Sequence, residues 1–243
     1  MVRQKDTLYS SPLAEIADFA FDQSVANVFA DMINRSVPGY GLVVDQIGVL
    51  ARHYAQPDSY LYDLGCSLGA ATLSMRHRVE ADGCKIIAID NAEAMISRCQ
   101  EYLDKDSATL PIQTACHDIR EVEIKNASVV VMNYTLQFIP LDERVVLLER
   151  IYQGLLPGGV IILAEKVCDA SKEQEDLFQN LHADFKRTQG YSDIEISQKR
   201  NSLENVLVAE TLSAHQQRLT SCGFKQFSVW YHCYNFAAML AIK

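Results

Sequence analysis

No two of the seven cysteines stand in C-x-x-C spacing, and their number is odd. A disulfide framework and a thiolate zinc site therefore have no basis here, and reduced, mostly buried thiols are expected instead. The six histidines show no metal-ligand spacing either, so no metal is expected. Glycine (11) and proline (6) are sparse, and repeats and low-complexity tracts are missing, which excludes disorder as the main state. Basic residues are outnumbered 22 to 31, for a net charge of −9. Such a surface repels phosphate backbones, so direct nucleic-acid binding is not expected. The longest apolar runs, Ala237–Ile242 and Val160–Ala164, are far short of a membrane span. The start, Met1-Val-Arg-Gln-Lys-Asp6, has no apolar stretch behind its charges, so a secretory leader is not read and a cytoplasmic location is expected.

What is present is ordinary globular material. The chain has 243 residues, 49% hydrophobic and 22% charged, enough for one sizeable core. From about residue 58, short apolar runs alternate with amphipathic ones. Ser59–Leu64, Lys85–Ile89, Pro111–Ala115, Ser128–Met132 and Val160–Ala164 read as strands. The uninterrupted Ser128-Val-Val-Val-Met132 suits a strand covered on both faces. Between the strands lie helical stripes: Leu68, Ala71, Thr72, Met75 and Val79; then Met95, Ile96, Cys99 and Leu103; then Val145, Leu148, Ile151, Tyr152 and Leu155. The last should stop at Leu156-Pro-Gly-Gly159.

This alternation predicts an α/β sheet of mainly parallel strands. Two regions interrupt it: residues 1–57, read as an N-terminal helical cap, and about 168–208, read as an inserted helical lid. Leu212–Leu219 reads as a helix ended by Gly223, and Phe224–Tyr231 with Asn235–Ile242 as an antiparallel strand pair. Residues 58–243 then form one α/β domain carrying the lid, with the cap part of the same structural domain.

The sharpest local feature is Asp63-Leu-Gly65-Cys66-Ser67-Leu-Gly69, where a strand turns into a helix. Glycine there permits a tight turn and close approach of a ligand. Asp90 closes the second strand 21 residues after Gly69, the distance at which an acid accepts hydrogen bonds from ribose hydroxyls. Asp118 follows the third strand and can receive an exocyclic amine beside the Ile119 N–H, and Asn133 ends the fourth. Each alone is commonly a helix cap. Together, at successive strand ends, they make an adenosine site. Ser67 and Ala70 stand where a dinucleotide fingerprint wants glycine, and no G-K-[ST] follows, so a ligand without phosphates fits better. Asp63 can hold an ammonium group, and acids around the site suit a cation such as S-adenosylmethionine.

On these motifs the chain resembles the class I S-adenosylmethionine-dependent methyltransferases. That resemblance implies a Rossmann-like, seven-stranded, mainly parallel sheet with one reversed C-terminal strand. A narrower likeness rests on Ser36-Val-Pro-Gly-Tyr40, Tyr62–Thr72, Lys85–Asn91, Thr135-Leu-Gln-Phe138, Phe185-Lys-Arg187, Gly190-Tyr-Ser192, Glu195–Arg200 and Leu203-Glu-Asn-Val206. These segments resemble the bacterial carboxy-S-adenosylmethionine synthases, nearly end to end. The resemblance implies conversion of S-adenosylmethionine and prephenate to carboxy-S-adenosylmethionine and phenylpyruvate. It further implies a homodimer whose product passes to an enzyme that carboxymethylates the wobble uridine of transfer RNA. Carried over by position, the ligand contacts fall on Tyr40, Gly65, Cys66, Ser67, Asp90, Asn91, Asp118, Ile119, Asn133 and Arg200.

The implied chemistry captures carbon dioxide on the sulfonium methyl carbon after that carbon loses a proton. It needs placement, exclusion of water and cations for carboxylates. Arg200, a planar fork that stays charged, is the candidate catalytic cation, and Tyr40 can add a hydroxyl donor. Lys186-Arg187 reads as a solvated face or a weak anion contact, Ser171–Asp176 as a solvated helix face, Tyr191 as a lid residue, and Trp230 as core. His182, His215 and His232 read as surface residues. Two other functions compete: a conventional small-molecule methyltransferase, and a non-catalytic S-adenosylmethionine-binding scaffold.

Overall fold

The computed structural model describes residues 4–243, so the first residues of the charged start lie outside it. Seven strands form one sheet: β1 (Tyr60–Leu64), β2 (Lys85–Asp90), β3 (Ile112–Cys116), β4 (Ala127–Asn133), β5 (Leu155–Lys166), β6 (Gln226–Cys233) and β7 (Phe236–Ile242). Their order is β3-β2-β1-β4-β5-β7-β6. β1 to β5 pair in parallel, while β7 runs antiparallel to both β5 and β6, as the reversed-strand expectation required. The strand order reverses direction at β1, which has β2 on one side and β4 on the other. The crevice beyond the carboxyl ends of β1 and β4 is thus the switch point where such sheets bind ligands.

β4, apolar apart from Ser128 and the terminal Asn133, is buried on both faces. Because side chains alternate, Val130 and Met132 join one core with Leu147, Leu148 and Ile151, while Val129 and Val131 join the other with Val43, Ile47 and Met75. Among the described residues, eight α-helices cover the sheet and its carboxyl edge: α1 (Gln23–Ser36), α2 (Tyr40–Tyr54), α3 (Ala70–Arg76), α4 (Glu93–Leu103), α5 (Leu141–Gly154), α6 (Lys172–Thr188), α7 (Asp193–Leu203) and α8 (Leu212–Ser221). Besides shifts of one or two residues at several strand ends, two boundaries differ from those the sequence pattern predicts. The stripe beginning at Leu68 is helical only from Ala70, because Gly69 takes a left-handed φ of 81°, and the helix ends at Arg76. Leu156-Pro-Gly-Gly159 ends α5 but also belongs to β5: Leu155 pairs with Ala127, and a register shift passes the four residues before Val160 pairs with Val129.

The N-terminal segment and the helices of residues 168–208 are hydrogen-bonded to each other. Gln198 of α7 donates to the carbonyls of Tyr9 and Ser11 at 3.0 Å each and accepts from Leu13 N at 2.7 Å. Phe19 N donates to Ser202 O at 2.8 Å. Tyr191 is buried, its hydroxyl donating to the buried Asp6 at 2.6 Å, with the Arg35 guanidinium 3.8 Å above its ring. Tyr191 therefore fastens the lid to the N-terminal segment rather than facing a ligand. His182 and His215, expected at the surface, are buried; His232 is exposed. His182 Nε2 donates to Ser36 O at 2.8 Å, which ties α6 to the end of α1. Burial, with the Lys186 charge nearby, pushes this imidazole down to about 3, so it stays neutral.

Candidate active site

At the carboxyl end of β1 the chain turns through Gly65, whose φ is 81°. A Cβ on Gly65 would lie 2.4 Å from Thr135 Oγ1, so no side chain fits between the β1 turn and the β4 turn. The N–H groups of Gly65 and Cys66 both donate to Ile89 O, at 2.8 and 2.9 Å, which closes the loop onto β2. Ser67 takes a φ of 49° and its N–H donates to Asp90 Oδ2 at 2.8 Å. Asp90 Oδ1 accepts from Ala92 N at 2.9 Å. Asp90 is thereby held at the end of β2 with lone pairs left over, and burial raises its carboxyl above the ordinary range. Asn91 beside it is exposed. Cys66 is buried, and a hydrogen bond with the Cys99 thiol, together with burial, raises its own thiol well above the ordinary value, which fits a packing sulfur rather than a nucleophile.

Two further buried oxygens at this edge have no hydrogen-bond partner: Asn133 Oδ1 at the end of β4 and Asp63 Oδ1 near the end of β1. Asp63 Oδ2 is satisfied by the Thr72 hydroxyl at 2.5 Å. Burial, with a smaller contribution from the Asp90 charge, pushes the Asp63 carboxyl up to about 6. Unpaired buried polar atoms are costly, and two at one crevice mark where a ligand's donors belong. Asn133 and Asp63 thus fit an amine-bearing nucleoside, and the glycine turn leaves room for it. Tyr40 opens α2 across the crevice, its ring 6.2 Å from that of Tyr134, and burial raises its phenol.

The third acid, Asp118, already has a partner. Asp118 does follow β3, with buried Ile119 beside it, but its carboxylate is taken by Arg120. Oδ1 accepts from Arg120 N at 2.9 Å and Nε at 3.0 Å, and Oδ2 from Nη2 at 2.5 Å. Arg120 also reaches Glu143 at 2.7 Å. An exocyclic amine has to compete with this guanidinium, which stands only two residues further along the chain.

Glu165, which no motif in the sequence singles out, shapes the turn after β4. It is fully buried on β5, and its two oxygens accept from Leu136 N at 2.9 Å and Gln137 N at 3.0 Å. Burial pushes its carboxyl up to about 8 against those N–H groups. This anchor holds Thr135 against Gly65. Arg200 lies in the last turn of α7, exposed, and forms no ion pair or side-chain hydrogen bond among the described residues. Arg187 faces solvent between Asp184 and Asp193, whereas Lys186 turns inward, half-buried. Trp230 is half-buried against the core. Among the described residues no group of three or more histidine, cysteine or acidic side chains is arranged to hold a metal ion, and no helix is long and apolar enough to cross a membrane.

Comparison with known proteins agrees with this fold. A family model described as a methyltransferase domain matches residues 61–159, the stretch from β1 into β5. A carboxy-S-adenosyl-L-methionine synthase of Trichlorobacter lovleyi is 55% identical over the whole of both chains. One from Shewanella halifaxensis is 54% identical over 98% of each. Among solved structures, human N-acetylserotonin methyltransferase in complex with S-adenosylmethionine superposes with a TM-score of 0.60, covering 91% of this chain and 55% of its own at 19% identity. A Leishmania major S-adenosylmethionine-dependent methyltransferase gives 0.61, covering 92% and 79% at 12% identity. The likeness to these two is one of fold.

Proposed function

This chain belongs to the carboxy-S-adenosyl-L-methionine synthases, and we propose that it makes carboxy-S-adenosylmethionine from S-adenosylmethionine and prephenate, releasing phenylpyruvate. The observation that carries the reading is the switch-point crevice. It sets a fixed acid, Asp90, beside two unsatisfied buried oxygens, on Asp63 and Asn133, and α7 adds an arginine, Arg200, without a partner among the described residues. Asp90 accepts the ribose hydroxyls, Asn133 and Asp63 take up the donors of the amino-acid end, and Tyr40 closes over it. Asp118 and the Ile119 N–H meet the adenine once Arg120 shares its partner.

The reaction balances without a further reagent. Prephenate gives up its ring carboxylate as carbon dioxide and its ring hydroxyl as hydroxide, and becomes aromatic. The methyl carbon on sulfur loses a proton, which with the hydroxide makes water, and its electron pair bonds to the carbon dioxide. The new carboxylate then faces Arg200. The protein's part is to hold the two substrates together, keep water out and offset negative charge. In the cell, the enzyme works in the cytoplasm as a homodimer and its product supplies an enzyme that modifies the transfer-RNA wobble uridine.

Incubation with S-adenosylmethionine, with and without prephenate, tests the reaction by mass spectrometry. A product heavier by one carbon dioxide, formed only with prephenate, is expected. Formation of S-adenosylhomocysteine without prephenate would indicate a conventional methyltransferase, and binding with no turnover a scaffold.

The Asp63 carboxyl, raised to about 6, adds a pH dependence. Its proton is held below that value in the free protein, and a cationic ligand favours the ionised form. S-adenosylmethionine binding should weaken as pH falls through about 6. Calorimetry on Asp63→Asn should show weaker binding at neutral pH and a flatter profile between about pH 5 and 7. A profile parallel to that of the parent protein would remove Asp63 from the binding of the amine.

A further inference from the structure

Resting on the reading above, we infer that Lys166 and Lys186 form a second anion site that grips the substrate carboxylate which is not transferred, the 2-oxo acid tail, above a floor of aromatic rings. The placement is geometric. Lys166 is the last residue of β5, at the carboxyl edge of the sheet, and pairs with Phe236 of β7. Paired antiparallel residues share a face, so the Lys166 side chain leaves the sheet on the side of Ala164, Phe236 and Tyr134. His182 of α6 stacks edge-on against the same Phe236, with ring centroids 4.8 Å apart. Lys186 follows His182 by four residues, so it lies on the same face of α6, directed to the same edge.

The rings form a continuous row. Tyr40 lies 6.2 Å from Tyr134, Tyr134 6.1 Å from Phe236, and Phe236 4.8 Å from His182. Tyr40 begins this row at the nucleoside crevice and the two lysines stand near its other end. A flat six-membered ring bearing two carboxylates suits such a row, with one carboxylate toward Arg200 and the other toward the lysines.

Charge supports the assignment. Neither Lys166 nor Lys186 forms an ion pair or side-chain hydrogen bond among the described residues. Lys199, by contrast, donates to Ser36 Oγ at 3.0 Å and is accounted for by packing. Burial, together with repulsion from Lys199, Lys166 and Arg200, presses the Lys186 ammonium down to about 7. Lys166 is lowered by burial and Arg200, against the opposite pull of Glu175. Glu175 does not neutralise the pair outright, since its oxygens accept from Asp169 N at 2.9 Å and Gln179 Nε2 at 2.8 Å. Like charges brought together half-buried and unpaired are unfavourable until an anion arrives.

The test uses the full chain with Lys186→Met, Lys166→Met and the charge-conserving Lys186→Arg. Each Met variant should raise the KM for prephenate by about 10- to 100-fold, and the Arg variant should recover most of it. Phenylpyruvate, which keeps only the untransferred carboxylate, should lose affinity in the Met variants by a similar factor in calorimetry. S-adenosylmethionine affinity should stay at the parent value, and the melting temperature should not fall, because repulsion is relieved. A parent-like KM and phenylpyruvate affinity in both Met variants would overturn the site. So would a loss of S-adenosylmethionine affinity equal to that of phenylpyruvate, which would mark a general collapse of the crevice. If the parent protein formed no carboxylated product, the proposed reaction would fail, and the lysine site would be judged by phenylpyruvate binding alone.

Discussion

Replacing Arg200 with Leu should abolish prephenate-dependent carboxylated product, by about 100-fold or more in kcat/KM, with the fold intact. The side chain is exposed in the last turn of α7 and holds no partner among the described residues, so its removal should cost the structure little. A permanently charged guanidinium is the kind of group that stabilises a carboxylate as it forms, and its loss should appear in kcat at least as strongly as in KM. Lys should restore little, because a point charge does not reproduce the planar fork. Steady-state kinetics with a melting curve on the same preparation checks this. Unchanged turnover in the Leu variant would remove Arg200 from the chemistry.

The second large effect belongs to Asp90. Its carboxylate accepts Ser67 N and Ala92 N as well as, in the proposed complex, the ribose hydroxyls. Asp90→Ala therefore removes ligand contacts and also releases Ser67 from a left-handed backbone conformation. Charge-assisted hydrogen bonds contribute about 1.5–3 kcal/mol each. Losing the equivalent of two should weaken S-adenosylmethionine binding by about 100-fold or more in calorimetry. Asp90→Asn, which keeps one acceptor oxygen, should fall between. Full affinity in the Ala variant would mean the nucleoside lies elsewhere.

Much of this site is legible in the sequence, for a physical reason. Strands buried on both faces are continuous apolar runs, and the residue that ends each run must lie at the sheet edge. Position alone assigns Asp90 and Asn133 to that edge. Gly65 is legible as a turn, though not the closeness of Thr135 that demands it. The illegible part depends on contacts distant in sequence. Gln198 meets Tyr9 and Ser11 across nearly the whole chain, so a polar-looking helix becomes the inner wall of the cap. His182 and His215 look exposed because their helices are mostly polar, yet each occupies a buried position. Lys186 and Arg187 are neighbours in sequence but leave the helix in different directions, one inward and one to solvent. Asp118 looks free when its role is assigned by position, while Arg120 is near enough to claim it.

The most direct measurement traces the carboxyl carbon. Prephenate labelled with heavy carbon only in its ring carboxylate is given to the protein with unlabelled S-adenosylmethionine, in buffer containing unlabelled bicarbonate. The account predicts carboxy-S-adenosylmethionine carrying the label in its new carboxylate, with the phenylpyruvate unlabelled. Label left out of the nucleoside product, or a methylated acceptor in its place, would contradict it.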